Sequence, residues 1–534
     1  MKNKPYPLYV YPLIRDLKDL IEKRTLDEPD AVAFSWMNKK NFISKSCKEF
    51  KHDVDAFGTY LLSLNYQNTH IAILGENSYE WIVSYFAVVN GGNIVVPLDK
   101  ELSPETADEL LKKSDCSVVI CSDSYKDIFD TVELSKLICM SEIQGMIEKG
   151  DTLINSGVHN FVNYKIDTEK MCSIVFTSGT TGSSKGVMLS QKGITAVINN
   201  SCPNFRPDGG TLQLLPLHHM FGLVVSLMMV FNYRQPIFIN TSLKNIKRDF
   251  QAAKPQTIFA VPLHMETLYK QIWATAKQQG KEKKLKTAMK ISNILLKINI
   301  DIRKKLFASV RNAFGGNLGY VGCGGASIDP FYIKEFRTFG VEILTAYGIT
   351  ECSPGISSNR NFHHKDGSVG LPVVNCEVKI ADDGEIMFKG DNVFLGYYKD
   401  LEETKKTFRN GWYLTGDLGR IDEDGFLFVT GRKKNLIIRS NGENISPEEL
   451  EAILLREETI EEAMVYEENS TVIAEIFPKE EYMGNTEYFN KLLNEINSKL
   501  PLYKQIGKIK LRDNEFEKNS SKKILRYKLT EAKK

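Results

Sequence analysis

A loop rich in Gly, Ser and Thr follows a short apolar run and contains a single lysine. Residues 173–187 read Ser-Ile-Val-Phe-Thr-Ser-Gly-Thr-Thr-Gly-Ser-Ser-Lys-Gly-Val. The β-branched run 174–176 predicts a buried strand. Small residues let backbone N–H groups converge, hydroxyls add hydrogen-bond donors, and Lys185 adds a positive charge. The hydroxyls belong to Thr177, Ser178, Thr180 and Thr181. This combination predicts anion binding, and a triphosphate would suit the loop.

The spacing differs from that of a Walker A loop. That pattern requires Gly-Lys-Ser/Thr, whereas Ser184 precedes Lys185 and Gly186 follows it. The alternative interpretation is a flexible surface loop between two strands.

The order of residues in this loop resembles the phosphate-binding signature of the adenylate-forming enzymes, which include acyl-CoA synthetases, luciferases and peptide-synthetase adenylation domains. The usual Pro before the lysine is Ser184 here. The resemblance implies ATP binding, with catalytic charge stabilisation by Lys185. The loop residues that it assigns to the nucleotide are Thr177, Ser178, Gly179, Thr180, Thr181, Gly182 and Lys185.

A second motif, Ala-Tyr-Gly-Ile-Thr-Glu-Cys at 346–352, resembles the "Y-G-x-T-E" signature of the same family. The match places Tyr347, with Gly348, at the adenine. It places Thr350 at the α-phosphate and gives Glu351 the role of holding Mg²⁺. A hard cation that bridges phosphates takes carboxylate and hydroxyl oxygens, so Thr177 is the expected second metal ligand.

The segment Gly-Cys-Gly-Gly-Ala-Ser at 322–327 is not a dinucleotide fingerprint, because Ser327 stands where the last Gly belongs. In the family a Gly-Gly-Ala sequence packs against adenine. Gly324, Gly325 and Ala326 match it, and only such small residues let a purine approach the backbone.

The segment 412–419 resembles the family's "W-x-x-T-G-D" motif. By this match Asp417 accepts both ribose hydroxyls. The following segment, 430–438, places Arg432 at the ribose as well and Lys434 at the hinge between domains.

Near the end of the chain, Asn519-Ser-Ser-Lys-Lys-Ile-Leu-Arg526 resembles the family's "S-G-K-I-x-R" motif. The motif's lysine reaches the reacting carboxylate and the nucleotide, and Lys523 has the corresponding spacing. Lys522 stands in place of the usual Gly, which is a departure from the pattern.

The segment Pro-Leu-His-His-Met-Phe-Gly at 216–222 matches the family's "P-L-x-H-x-x-G", which lies beside the acyl pocket, and His219 matches its His. A structural role for the His pair is the alternative. The helix expected at 223–231 has no acidic residue to pair with the ammonium group of an amino acid. An apolar acyl tail is therefore expected, although the same residues would suit a core helix. The candidate pocket residues are Met220, Phe221, Leu223, Val224, Val225 and Met228.

A basic amphipathic stretch covers residues 281–307. The segment that contains it ends at 313–317 and resembles an insertion of long- and medium-chain fatty acyl-CoA synthetases. Such a helix can lie on an anionic membrane. A solvated helix that covers the core is the favoured interpretation.

Alternating strands and helices in the first half of the chain predict an α/β fold with parallel sheets. Asn77 is the expected cap of the helix after the first strand, and Ser103-Pro104 opens another helix. Ser446 to Glu449 form a complete capping box. The resemblance implies a large N-terminal domain with a β-rich subdomain, residues 1–431. A small mobile α+β domain, 432–534, would carry the catalytic lysine, with the active site between the two.

The chain has 534 residues, a formal net charge of +2 and nine scattered cysteines without a Cys-x-x-Cys pair. The charge requires no nucleic acid, and the cysteine pattern favours a reducing compartment over a disulfide framework. The start lacks the apolar core of a signal peptide. We expect a cytoplasmic protein.

The resemblance, closest to the bacterial long-chain type, implies a fatty acid–CoA ligase that uses ATP, Mg²⁺ and CoA. The acid would form acyl-AMP with release of pyrophosphate, and a thiol would then take the acyl group. Three alternatives stay open: a carrier-protein phosphopantetheine as the acceptor, a catalytically weak nucleotide-binding regulator, and a luciferase-like oxygenase.

Overall fold

The computed structural model describes residues 8–177, 184–207, 209–439, 443–518 and 524–526. The strands in the first half of the described chain, numbered in order, are β1 Val32–Asn38, β2 Asn41–Ser46, β3 His70–Leu74, β4 Ile94–Leu98, β5 Val118–Cys121, β6 Lys136–Cys139, β7 Met171–Thr177, β8 Lys185–Ser190, β9 Thr211–Gln213, β10 Ile237–Ile239 and β11 Thr257–Ala260. The later strands are β12 Tyr320–Cys323, β13 Glu342–Tyr347, β14 Ser357–Ser358, β15 Leu371–Pro372, β16 Glu377–Ile380, β17 Glu385–Lys389, β18 Gly396–Tyr397, β19 Phe408–Arg409, β20 Trp412–Ile421, β21 Leu427–Arg432, β22 Ile437–Ile438, β23 Asn444–Ile445, β24 Ile460–Glu468, β25 Thr471–Pro478 and β26 Lys508–Leu511.

The α-helices are α1 Leu17–Asp27, α2 Cys47–Ser63, α3 Tyr79–Asn90, α4 Pro104–Lys113, α5 Ile143–Asn155, α6 Gln191–Ser201, α7 Val230–Asn232, α8 Ile246–Ala253, α9 Pro262–Gln278, α10 Glu282–Lys297, α11 Arg303–Leu306, α12 Ala308–Ala313, α13 Pro330–Thr338, α14 Leu401–Lys406, α15 Pro447–Leu454 and α16 Thr486–Asn497. A π-helix, Phe221–Met229, precedes α7. None of the helices within the described ranges combines the length and the apolar composition that a membrane span requires.

The described chain forms two compact units. The first contains residues up to 177, 185–377 and 389–411, and the second contains 378–388 and the described residues from 412 onward. The predicted domain boundary at 431/432 stays a prediction.

Two sheets with parallel cores build the first unit. One has the strand order β18-β8-β7-β4-β3-β5-β6, and its central strands β7, β4, β3, β5 and β6 run parallel. The other has the order β15-β14-β13-β12-β11-β9-β10-β1-β2, with β1 and β9 through β13 parallel. Apolar runs such as β5, which is buried along its whole length, account for the parallel pairing.

The second unit has a β-rich part and an α+β part. Strands β17, β20 and β21 pair antiparallel in a sheet in which β16 lies beside β17. Strands β24, β25 and β26 form a three-stranded sheet, and a core that includes Leu450 and Phe489 packs helices α15 and α16 against it. The predicted α/β class with a separate β-rich region is confirmed.

One predicted helix cap and one predicted capping box are wrong. Helix α3 is capped by Ser78, whose side chain accepts a hydrogen bond from the Trp81 N–H. The Asn77 side chain instead donates to the Leu215 carbonyl oxygen and accepts from the Leu217 N–H, each at 3.0 Å. Ser446 is the N-cap residue of α15, as predicted, but its side chain accepts no cap hydrogen bond, and its hydroxyl donates to the Glu448 carboxylate. The Ser103 cap of α4, with Pro104 at the first helical position, is as predicted.

Candidate active site

The two ends of the predicted phosphate loop lie side by side. Thr177 ends β7, Lys185 begins β8, and the two residues are direct partners in the antiparallel ladder. The pairing places a hydroxyl and an ammonium group at the base of the loop. The predicted loop residues Ser178, Gly179, Thr180, Thr181 and Gly182 lie outside the described residues.

Lys185 has two specific neighbours in the structure. Its Nζ lies 2.5 Å from Glu403 Oε1 and 5.0 Å from the centre of the Tyr397 ring. The hydrogen bond from Lys185 holds the pKa of the Glu403 carboxyl below its usual value. The ammonium group is therefore held between a carboxylate and an aromatic face.

Glu351, the predicted metal ligand, is bonded to the same tyrosine. The Tyr397 hydroxyl donates to Glu351 Oε1 at 2.9 Å. Tyr397 belongs to β18, which pairs with β8 opposite Val187, two residues after Lys185. Strand β18 therefore brings one ring into contact with both the lysine of the loop and the candidate metal ligand.

The sequence interpretation missed Tyr397 and Glu403. The only local signal is Asp400, three residues before Glu403, which caps α14 by accepting from the Glu403 N–H. This cap predicts a helix start at that point, but it carries no information about the contact with Lys185.

The candidate adenine residues follow neighbouring parallel strands. Gly324 to Ala326 come after β12, and Tyr347 ends β13. The carboxyl ends of parallel strands share one edge of a sheet, which is where ligands of α/β proteins bind. A Cβ built on Gly324 would lie 3.3 Å from both the Ala346 carbonyl oxygen and Phe221 Cζ, so a side chain there would be tightly constrained.

Gly348 is fixed by the protein itself. A Cβ at this position would lie 1.4 Å from the Pro354 carbonyl oxygen. No side chain fits without moving the backbone, and this requirement holds with or without a nucleotide. Thr350 and Glu351 follow directly, in a short 3₁₀ turn.

The histidine pair divides into two environments. His218 is buried, with Nε2 at 3.5 Å from Asp99 Oδ2. His219 is partly exposed, and its ring centre lies 4.2 Å from that of His218. His219 is thus the more accessible of the two, and it is the one that matches the family's His beside the acyl pocket.

The predicted acyl-pocket segment is a π-helix rather than an α-helix, and most of its candidate residues are buried in the core. Only Phe221 and Val225 of the six are partly exposed. The buried ones are Met220, Leu223, Val224 and Met228. Insertion of a π-turn is frequent at functional sites, and here it follows the candidate residue His219.

In the second unit, the two candidate ribose residues face each other. Asp417 on β20 and Arg432 on β21 are direct ladder partners, and Arg432 Nε lies 2.7 Å from Asp417 Oδ1. Asp417 is buried, whereas the Arg432 side chain is about half exposed. The arginine thus supplies a charged hydrogen-bond partner to a carboxylate that the protein buries.

Lys434, the predicted hinge, lies exposed in the turn Lys433–Asn435 after β21. Its neighbour Lys433 is held by Asp383 and Glu385, at 2.7 and 2.8 Å. Lys523, the predicted catalytic lysine, lies outside the described residues. Arg526 of the same motif is described and pairs with Glu451.

A predicted phosphate loop between paired strands, with candidate adenine, metal and ribose residues later in the chain, is the order expected of an adenylate-forming enzyme. The chain matches the family model "AMP-binding enzyme" over residues 21–398 and belongs to that family. The predicted family is confirmed.

Curated relatives place the chain among acid–CoA ligases. It is 28% identical over 474 residues to long-chain-fatty-acid–CoA ligase FadD15 of Mycobacterium bovis, covering 82% of this chain and 78% of the relative. It is 30% identical over 486 residues to long-chain-fatty-acid–CoA ligase 5 of Rattus norvegicus, covering 82% and 71%. The crystal structure of the anthranilate CoA ligase AuaEII in complex with anthranoyl-AMP has the same fold, with a TM-score of 0.79, 19% identity and 98% of each chain covered.

Acyl-CoA ligases of this family use ATP and Mg²⁺, with CoA as co-substrate. The available donors fit a hard cation, because Glu351 offers a carboxylate and Thr177 a hydroxyl. No three His, Cys, Asp or Glu side chains in the described ranges lie grouped to hold an ion alone. Glu351 and Thr177 would hold Mg²⁺, which would supply positive charge beside the phosphates.

Proposed function

We propose that this ligase activates a medium- or long-chain fatty acid and transfers the acyl group to the thiol of CoA. The observation that carries the proposal is the contact of Tyr397 with both Lys185 and Glu351, the predicted phosphate-binding cation and the predicted metal ligand. The names of the curated relatives support a fatty acid as the substrate.

The lack of acidic residues in the π-helix supports an apolar substrate. Residues 221–232 contain no Asp or Glu, and Phe221 and Val225 are its partly exposed members. An ammonium group next to this helix would lack a counter-charge, which costs several kcal/mol, on the order of 3–5 for a broken buried pair. An aliphatic chain carries no such cost.

The reaction proceeds in two balanced steps. A carboxylate oxygen attacks the α-phosphorus of ATP, a bond to that oxygen forms, and the bond to the β-phosphate oxygen breaks. Pyrophosphate leaves. The thiol sulfur then attacks the acyl carbon, AMP departs with the former carboxylate oxygen, and the thiol proton is released.

We assign the first step to charge neutralisation, because charge builds up on the phosphate oxygens. Lys185 and Lys523 supply cations, Glu351 and Thr177 would hold Mg²⁺, and Thr350 would contact the α-phosphate. Asp417 and Arg432 bind the ribose, and residues 324–326 and 347–348 take the adenine. His219 lies at the acyl side.

The assignment of residues 432–534 as a mobile domain, with Lys434 as its hinge, is part of this proposal. A cytoplasmic location is a further part. Every cysteine of the chain is a free thiol, and seven of the nine are buried, which is consistent with a reducing compartment.

Pyrophosphate release from MgATP across a panel of aliphatic, aryl and amino acids tests the proposal, with hydroxylamine to trap activated acyl groups. We expect release that rises with aliphatic chain length and a thioester product only when CoA is added. Preference for aryl or amino acids would overturn the substrate class. Acyl transfer to a carrier protein but not to CoA would overturn the acceptor.

A further inference from the structure

Helix α10 has two different faces. Its inner face includes Leu285, Ala288 and Met289, which pack against the core that contains β11 and β12. Ser292 on the same side is fully buried. The helix is therefore anchored to the first unit along one side and leaves the opposite side to the surroundings.

The outer face carries isoleucines. Ile291, Ile294 and the C-cap residue Ile298 are 45%, 61% and 62% exposed. Spacings of three and four residues place them in one stripe along the helix. Single exposed apolar residues are ordinary, but an exposed stripe of three bulky ones marks an interaction site.

Three lysines border this stripe. Lys283, Lys290 and Lys297 are exposed and recur every seven residues, so they share one edge of the helix. None of them has an ion-pair partner among the residues that the structure describes. Residues 281–307 contain nine Lys and Arg but only two Asp and Glu, in a chain whose formal net charge is +2. The positive charge is concentrated at this surface.

We propose that this outer face of α10, consisting of the three isoleucines and the three lysines, docks on an anionic lipid bilayer. A helix lying along the membrane places its apolar stripe at the boundary between headgroups and acyl chains. The lysines then reach the lipid phosphates, with their aliphatic stems on the apolar side.

Other occupants fit less well. A second copy of the chain, packed face to face, would bring two rows of like charges together. A nucleic acid would use the lysines and leave the isoleucines in water. An anionic lipid surface satisfies both the charge and the apolar stripe.

The inference stands on α10 alone and does not require the proposed reaction. Its test is sedimentation of the full-length protein with vesicles, without ATP or acid. One vesicle preparation contains phosphatidylcholine, and the other contains phosphatidylcholine with phosphatidylglycerol. We expect binding to the anionic vesicles that weakens with salt, and binding to the neutral ones that is weaker by roughly tenfold or more.

Two triple variants separate the apolar and the charged contributions. Ile291→Ser, Ile294→Ser and Ile298→Ser together should weaken binding to anionic vesicles about tenfold or more at any salt concentration, because membrane affinity scales with buried apolar area. Lys283→Gln, Lys290→Gln and Lys297→Gln together should abolish the preference for phosphatidylglycerol. Both variants should retain the circular dichroism of the wild type, since all six side chains face outward.

Matched controls carry the same changes at exposed positions elsewhere. One is Leu26→Ser with Leu455→Ser and Leu502→Ser, and the other is Lys491→Gln with Lys499→Gln and Lys508→Gln. We expect both to bind vesicles like the wild type. Wild-type protein that remains in the supernatant with both vesicle types would overturn the proposal, as would α10 variants that bind unchanged. Self-association in light scattering that the isoleucine variant abolishes would assign the face to a second copy instead.

Discussion

The hydroxyl of Tyr397 donates to Glu351 Oε1 at 2.9 Å, while the ring of the same tyrosine lies 5.0 Å from Lys185 Nζ. One side chain thus touches the predicted metal ligand and the predicted phosphate-binding cation. Both contacts depend on the short strand β18, which pairs with β8.

Tyr397→Phe should raise the Mg²⁺ concentration needed for half-maximal pyrophosphate release by about three- to tenfold, because the carboxylate of Glu351 loses a charge-assisted hydrogen bond that orients it. Activity at saturating Mg²⁺ should stay near that of the wild type. Tyr398→Phe is the control, since that hydroxyl donates to Asp115 at 2.6 Å. An unchanged Mg²⁺ titration for Tyr397→Phe would remove Tyr397 from the metal site.

Glu403→Gln should lower the KM for ATP and the inhibition constant of pyrophosphate by roughly two- to fivefold, as expected for a partly exposed ion pair. The carboxylate competes with phosphate for Lys185, and its lowered pKa keeps it ionised throughout the neutral range. Glu402→Gln provides the comparison, because Glu402 pairs with Lys405 at 2.9 Å instead. A higher KM for ATP in Glu403→Gln would show that Glu403 positions Lys185 rather than competes for it.

Asp417→Asn should raise the KM for ATP by about tenfold or more, because a neutral amide accepts ribose hydroxyls more weakly than a carboxylate. The sharper readout is the ratio of kcat/KM for ATP and 2′-deoxy-ATP, which should fall towards one in the variant. Asp424→Asn, at an exposed turn of the same unit, should retain the ratio of the wild type. If Asp417→Asn also retains it, the ribose assignment fails.

Lys523→Ala should lower adenylation by roughly a hundredfold or more, which is typical for loss of one charge stabiliser. Thioester formation from supplied acyl-AMP should be spared. Lys522→Ala tests the register of the motif, because the adjacent lysine should be dispensable for adenylation. Equal losses in both half-reactions for Lys523→Ala, or a larger loss for Lys522→Ala, would contradict the assignment.

Arg526→Met should destabilise the second unit in a pH-dependent way. Arg526 pairs with the largely buried Glu451 and donates to the Val465 carbonyl oxygen at 3.2 Å. Burial raises the pKa of Glu451, and Arg526 opposes that rise. Without the arginine the pKa rises further, so the folded state binds the proton more tightly than the unfolded state and loses stability as pH increases.

Thermal unfolding at about pH 5 and about pH 8 measures this effect. The deficit of Arg526→Met relative to the wild type should be larger at the higher pH. Arg456→Met, at an exposed position near the end of α15, should show no such trend. A deficit that is equal at both pH values would indicate that the arginine acts by packing alone.

The sequence predicts the strands of the parallel sheets well, because short buried apolar runs such as 71–74 and 118–121 have few plausible conformations other than a strand. The same is true of the strand before the phosphate loop, which ends at Thr177 in the structure. These features follow from local composition. The contacts of Lys185 do not, because Glu403 is 218 residues away and meets it only through the pairing of β18 with β8.

The wrong cap of α3 has a similar cause. Asn77 and Ser78 are both good capping residues and adjacent, so local preference does not separate them. The choice is made by Leu215 and Leu217, whose backbone groups occupy the Asn77 amide. The sequence predicts a helix over 223–231, but an apolar run does not distinguish an α-helix from the π-helix that the structure has at Phe221–Met229.

The close approach of Gly348 to the Pro354 carbonyl oxygen bears on how related chains should be compared. Backbone packing alone would maintain this glycine through evolution, even in a descendant that no longer turns over ATP. The Pro354 carbonyl oxygen imposes no such packing constraint on Lys185, Glu351 or Asp417. Retention of the glycine alongside loss of those three charges would therefore identify a degenerate member of the lineage, whereas the glycine by itself is uninformative about catalysis.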